Sequence, residues 1–175
     1  FLIVASAAGT SAGDVAGTAG LLFALPFILL TPAAGSLADH TSKRDIVVWT
    51  KVLEIVVMAA GLLAFLSGRP LFLYAVLVLM AVQSAVFGPA KYGIIPELVE
   101  RDRISRANGQ LVMMTYLAII FGTVLGPQLA KWLDGRYAWA CGACVLIAVA
   151  GTLTSIGIGR TPAGGRPLQL PWLFW

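Results

Sequence analysis

Two opposite charges three residues apart, Lys51 and Glu54, stand inside the otherwise apolar run IVVWTKVLEIVVMAAGLLAFL, residues 46–66. At helical spacing they share one face and lie about 8 Å and 12 Å in from Ile46, at about 1.5 Å per residue. Lys51 is long enough to snorkel to the interface; Glu54 is not. An unpaired buried carboxylate is costly, so Glu54 must face a bundle interior or wet cavity, be paired, or be protonated. A polar fixture that meets a cationic group or a proton would satisfy this, and so would a local pair with Lys51 that merely holds the helix. Lys91 and Tyr92 form a second polar point. Gly88, Pro89, Gly93 and Pro96 punctuate the chain around them, which places an ammonium near a bilayer surface, either to meet a phosphate or a gate carboxylate or simply to mark the interface.

Other reactive side chains give weaker patterns. Cys141 and Cys144 have the spacing of a redox or zinc half-site, but no second pair accompanies them, and in an apolar run they read as small packing residues. With His40 the single histidine, no Ser-His-Asp set can be built, and no Gly-rich phosphate loop follows a strand. The expectation is no catalytic residue, no metal site, no cofactor and no enzyme activity in this segment.

The elements that must carry Lys51, Glu54 and Lys91 are membrane helices. The chain is 59% hydrophobic and 11% charged, with a mean hydropathy of +0.89, so it cannot cover itself with polar surface. Residues 15–38, 70–90, 107–130 and 137–159 contain no Asp, Glu, Lys or Arg, and each is long enough to span a bilayer, which takes about 20 residues of helix. With residues 46–66 these make five spans. The opening FLIVASAAG lacks a basic flank and reads as the tail of a sixth helix rather than a signal peptide. PAGGRPLQLPWLFW reads as an interfacial linker. The expected domain is a bundle over residues 1–159, with helices at about 1–9 (partial), 15–34, 46–66, 71–90, 108–130 and 138–158. A cytoplasmic or interfacial linker follows at 160–175, the sequence reading as cut at both ends.

Orientation follows from the basic residues, which concentrate in cytoplasmic loops. One side holds Lys43, Arg44, Lys91, Arg101, Arg103, Arg106, Arg160 and Arg166; the other holds Arg69, Lys131 and Arg136. The bias places both ends of the segment in the cytoplasm. The net charge of +4 is then mostly topology, and it makes no case for nucleic acid.

The loop GSLADHTSKRD supplies a motif. Gly35, Leu37, Ala38, Asp39, Lys43 and Arg44 follow the pattern G-x-L-a-D-r-x-g-r-k and resemble the loop joining the second and third helices of major facilitator superfamily transporters. His40 stands where that family usually has Arg, and Ser42 where it has Gly. Physically, Gly35 would permit close helix approach, Asp39 would supply a carboxylate at a helix end, and Lys43 and Arg44 would anchor the loop; a basic hairpin that only sets topology is the plainer reading. FGPAKYGIIPELV with the following ANG, WTKVLEIVVMAAG and YLAIIFGTVLG resemble the lysophospholipid transporter domain, found alone or fused to a glycerophospholipid acyltransferase and an acyl-acyl-carrier-protein synthetase.

This resemblance implies an all-α membrane fold, the N-terminal six-helix half of a 12-helix transporter built as inverted three-helix repeats, in a bacterial inner membrane. It implies alternating access that carries lysophospholipid from the outer to the cytoplasmic leaflet for reacylation. Its partners would be that amphiphile, membrane lipids, a C-terminal six-helix half and, in some arrangements, a fused acyltransferase. Glu54, Lys51, Lys91 and Tyr92 would line the path, and residues 35–44 would close a cytoplasmic gate. The family's acidic-amide pair of the first helix would lie before Phe1. A drug exporter of the same fold is the alternative, discriminated by the Gly126-Pro127 element of the fifth helix, where Gly122 and Gly126, four apart, also suit plain close packing. A membrane anchor for an acyltransferase is the other, and an embedded carboxylate argues against it.

Overall fold

Capping residues divide the apolar sequence into helices. In the computed structural model, which describes residues 11–133 and 137–159, Ser11 begins α1 (Ala12–His40) by accepting from the backbone N–H of Asp14 at 3.1 Å. Thr41 is extended and ends it. Ser42 accepts from Asp45 N–H at 3.4 Å and starts α2 (Lys43–Ser67), so Thr41 and Ser42 alone form the turn. Gly68, at φ 63°, stops α2 in the left-handed conformation that costs glycine least. Pro70 then opens α3 (Pro70–Gly93) at a position where its missing N–H is harmless. The short α4 (Ile95–Leu98) and a 3₁₀ turn (Arg101–Arg103) lead into α5 (Ile104–Trp132), and α6 (Tyr137–Ile156) completes the set. No strand occurs among the described residues.

Five of these helices are long and apolar enough to cross a membrane, and the fold is all-α. They overrun the charge-free stretches at the membrane faces: α1 reaches His40 and α3 reaches Gly93, because charged ends remain helical once they leave the hydrocarbon. The expected first helix at about 1–9 and the linker at 160–175 lie outside the described residues.

α3 packs against both α1 and α2, and α2 also packs against α6. The buried positions are mostly small: Ala19, Ala34, Ala38, Ala64, Ala81, Ala85, Ala90 and Ala148. Lipid chains are as apolar as leucine, so close van der Waals contact rather than water exclusion holds such helices together, and alanine permits it. Polar stitches add direction. Gln83 donates from Nε2 to the carbonyl of Thr50 at 3.2 Å, and Thr152 donates to that of Lys51 at 3.0 Å, tying consecutive carbonyls of α2 to α3 and α6. α5 stands largely apart, with no described side chain buried. A helix apolar on all faces needs lipid or further helices around it.

Candidate functional site

The sequence order places Lys51 two turns into α2 and Lys91 at the end of α3, and the packing of these helices brings both to one aromatic ring. The Lys51 ammonium lies 5.2 Å and the Lys91 ammonium 6.0 Å from the Phe87 centroid. Lys91 also sits 5.6 Å from the ring of the exposed Tyr92 and donates to Thr115 Oγ1 of α5 at 2.9 Å. The Thr115 hydroxyl in turn donates to the Leu111 carbonyl at 2.7 Å, which leaves its oxygen free to accept from the lysine. No carboxylate partners Lys91 among the described residues.

Two cavities meet at Lys91. One, of about 360 Å³, is lined by Lys51, Phe87, Lys91, apolar residues of α2, α4 and α5, and Thr154 and Ser155 of α6. The other, of about 470 Å³, runs along α5 past Leu111, Met114, Thr115, Ala118 and Ile119, a helical i, i+3, i+4, i+7, i+8 stripe about 12 Å long. The arrangement is a cationic point on an apolar trough, which suits an amphiphile with a negative head.

Glu54 belongs to this set indirectly. Its Oε2 accepts from Lys51 Nζ at 2.7 Å, so the local pair is the geometry adopted, and Glu54 lines neither cavity.

The motif at the α1–α2 turn is held from several sides. Ala38 packs in a core with Ile46, Val47 and Ala90. Lys43 Nζ meets Glu97 Oε1 of α4 at 2.6 Å, and its stem passes so close to Gly93 that an added Cβ there would stand 3.0 Å from Lys43 Cε. Arg44 donates to the Ile156 and Ile158 carbonyls at 3.1 Å and 3.3 Å, capping the end of α6. His40 Nδ1 lies 2.5 Å from the Ser36 carbonyl. Asp39, by contrast, is exposed and has no hydrogen bond or ion pair among the described residues. Among the described residues the close approaches foreseen at Gly35 and along Gly122–Gly126 are not found: a Cβ at Gly35, Gly122 or Gly126 meets nothing of them within 4 Å. Leu37 is partly exposed, and Pro127 lies inside α5.

Glu97, Thr115 and Phe87 were not singled out by sequence. Phe87 was within reach, since it precedes Lys91 by one helical turn. Glu97 and Thr115 depend on tertiary contacts 54 and 24 residues from their partners, for which the local pattern has no signal.

The Lys43–Glu97 bond holds α4 over the smaller cavity, which Ile94, Ile95 and Leu98 help to line. With both side chains only partly exposed, the bond is worth about 1 kcal/mol. Glu97→Gln is therefore expected to raise maleimide labelling of the buried Ile95 position, carried as Ile95→Cys, by about fivefold. The reagent should reach it from inverted vesicles and not from intact cells. Unchanged labelling would show that the bond does not hold α4, and labelling from outside would reverse the orientation.

A family model described as the Major Facilitator Superfamily matches residues 2–169. Among curated proteins, the chain is similar to the lysophospholipid transporter LplT of Pectobacterium carotovorum, 36% identical over 110 residues, covering 63% of this chain and 26% of that protein. The protein of the same name from Serratia proteamaculans is 32% identical over 143 residues, 82% of this chain and 34% of the relative. That from Klebsiella pneumoniae is 32% identical over 154 residues, 88% and 36% respectively. The chain thus spans about a third of the length of these relatives.

Proposed function

Since the chain belongs to the major facilitator superfamily and is a multi-pass membrane protein, we propose that it forms the N-terminal half of a transporter that moves lysophospholipid by alternating access. The observation that carries this reading is the meeting of two largely apolar cavities at Lys91, an ammonium with a hydroxyl partner and no carboxylate among the described residues. A single-chain phospholipid matches it: the phosphate can take the ammonium, and the acyl chain can lie along α5. The relatives' names support the same substrate class.

In this mechanism a second half closes the path, and the two halves rock about a site between them. Lys51, Lys91 and Tyr92 form the polar end of the path, with Glu54 holding Lys51, and the turn at residues 35–44 forms the cytoplasmic gate. The bias of basic residues places the α1–α2 and α3–α5 connections in the cytoplasm of a bacterial inner membrane. Transport runs from the outer to the cytoplasmic leaflet, where an acyltransferase, fused or separate, reacylates the product. No step here makes or breaks a covalent bond, so the segment itself is not an enzyme.

The full-length protein, reconstituted in vesicles, should take up labelled lysophospholipid faster than protein-free vesicles do, and should discriminate against diacyl lipid. Equal uptake with and without protein would sink the proposal. Export of amphiphilic cations in its place would favour the drug-exporter alternative.

A further inference from the structure

Building on the lysophospholipid reading, we infer that this site selects the headgroup by net charge and favours an anionic headgroup, a phosphate bearing an uncharged alcohol, over a zwitterionic one. Three ionisable side chains decide the charge. Lys51 and Lys91 both reach the Phe87 ring, whereas Glu54 is bonded to Lys51 at 2.7 Å and is absent from the cavity walls. The pair cancels, and the wall is left with the single positive charge of Lys91. A phosphate monoanion neutralises it. An ethanolamine ammonium would bring a further positive charge beside two lysines, and the carboxylates of Glu54 and Glu97 are already engaged by Lys51 and Lys43. In a partly desolvated site that repulsion is only weakly screened.

The arrangement also makes Glu54 a positioning residue. It acts by holding and neutralising Lys51, not by touching the lipid. Removing its charge would release Lys51 to the cavity, raise the wall to two positive charges and strengthen the preference for an anionic headgroup. Removing both charges of the pair would restore the original balance.

The test is competitive uptake by the full-length protein in vesicles, using two lysophospholipids with the same acyl chain and either a glycerol or an ethanolamine headgroup. Both are read in the same vesicles, so differences in folding or yield cancel from the ratio. Wild type should favour the glycerol lipid by roughly threefold or more, and Glu54→Gln should increase that ratio a further fivefold or so, the scale of a weak charge contact. Lys51→Gln with Glu54→Gln should return it to the wild-type value. Lys91→Gln should bring it near unity, while Lys91→Arg keeps it. If the double variant stays as biased as Glu54→Gln, Glu54 touches the ammonium directly and the inference is wrong. A ratio near unity in wild type that no variant moves also overturns it, while leaving lysophospholipid transport intact. If wild type takes up neither lipid, the function proposed above fails first, and the inference goes with it.

Discussion

Leucine in place of Ala85 is expected to lower the thermal midpoint of the purified protein by several degrees. Ala81, Ala85 and Ala90 are 0%, 1% and 0% exposed, on the helix that packs against both α1 and α2. Ala81 and Ala85, one turn apart, lie on one face. No large side chain is fully buried among the described residues, so at Ala81 and Ala85 the helices meet across methyl groups with little side-chain bulk to yield. Three added carbons would push α3 off its neighbours at a cost of about 1–3 kcal/mol. The displacement would also pull Gln83, which lies between the two alanines, from the Thr50 carbonyl at 3.2 Å and leave polar groups unpaired in an apolar medium. The thermal midpoint of the purified protein in detergent measures this: Ala85→Leu should lower it by several degrees, and Ala81→Leu with Ala85→Leu should yield mostly aggregate. Gly122→Ala, where the added methyl meets nothing within 4 Å among the described residues, should leave the midpoint unchanged. An unaffected Ala85→Leu protein would mean that the α3 seam is looser than the structure has it.

That seam shows what could be read from sequence alone. Hydropathy pointed to all five described spans, four of them free of charge, because a lipid environment forces every backbone group to be satisfied within a helix and so makes long apolar runs unambiguous. Which alanines face protein could not be read in the same way: a membrane helix is apolar on its lipid face too, so no polar face marks its orientation. The candidate site divides similarly. Lys51 and Glu54 were legible as a pair because helical spacing alone brings them together. The convergence of Lys51 and Lys91 on Phe87 was not, since it depends on how α2 crosses α3. Gly35 and Gly122 show the opposite case: a small-residue signal was present, but the described helices place no neighbour against it.

Asp39→Asn is expected to reduce uptake by tenfold or more while leaving lysophospholipid binding and the stability of the bundle almost unchanged. Three motif residues around Asp39 are engaged within the described helices: Ala38 in the core, Lys43 with Glu97, and Arg44 on the end of α6. Asp39 is exposed, and its side chain has no hydrogen-bond or ion-pair partner there. It also sits in the last turn of α1, where the helix dipole opposes a carboxylate by roughly 0.3–1 kcal/mol. On the gate reading proposed above, a charge that the fold does not need and the local field disfavours would answer to a group outside these helices, in a state visited during the transport cycle. Neutralising it should then leave the thermal midpoint the same or slightly higher, and should remove a contact of the gate, worth about 1.4 kcal/mol for each tenfold loss in rate. Binding of labelled lysophospholipid to the purified full-length variant, measured beside uptake, separates the two roles: parallel loss of both would place Asp39 in the substrate site, and unimpaired uptake would leave the turn as a topology signal only.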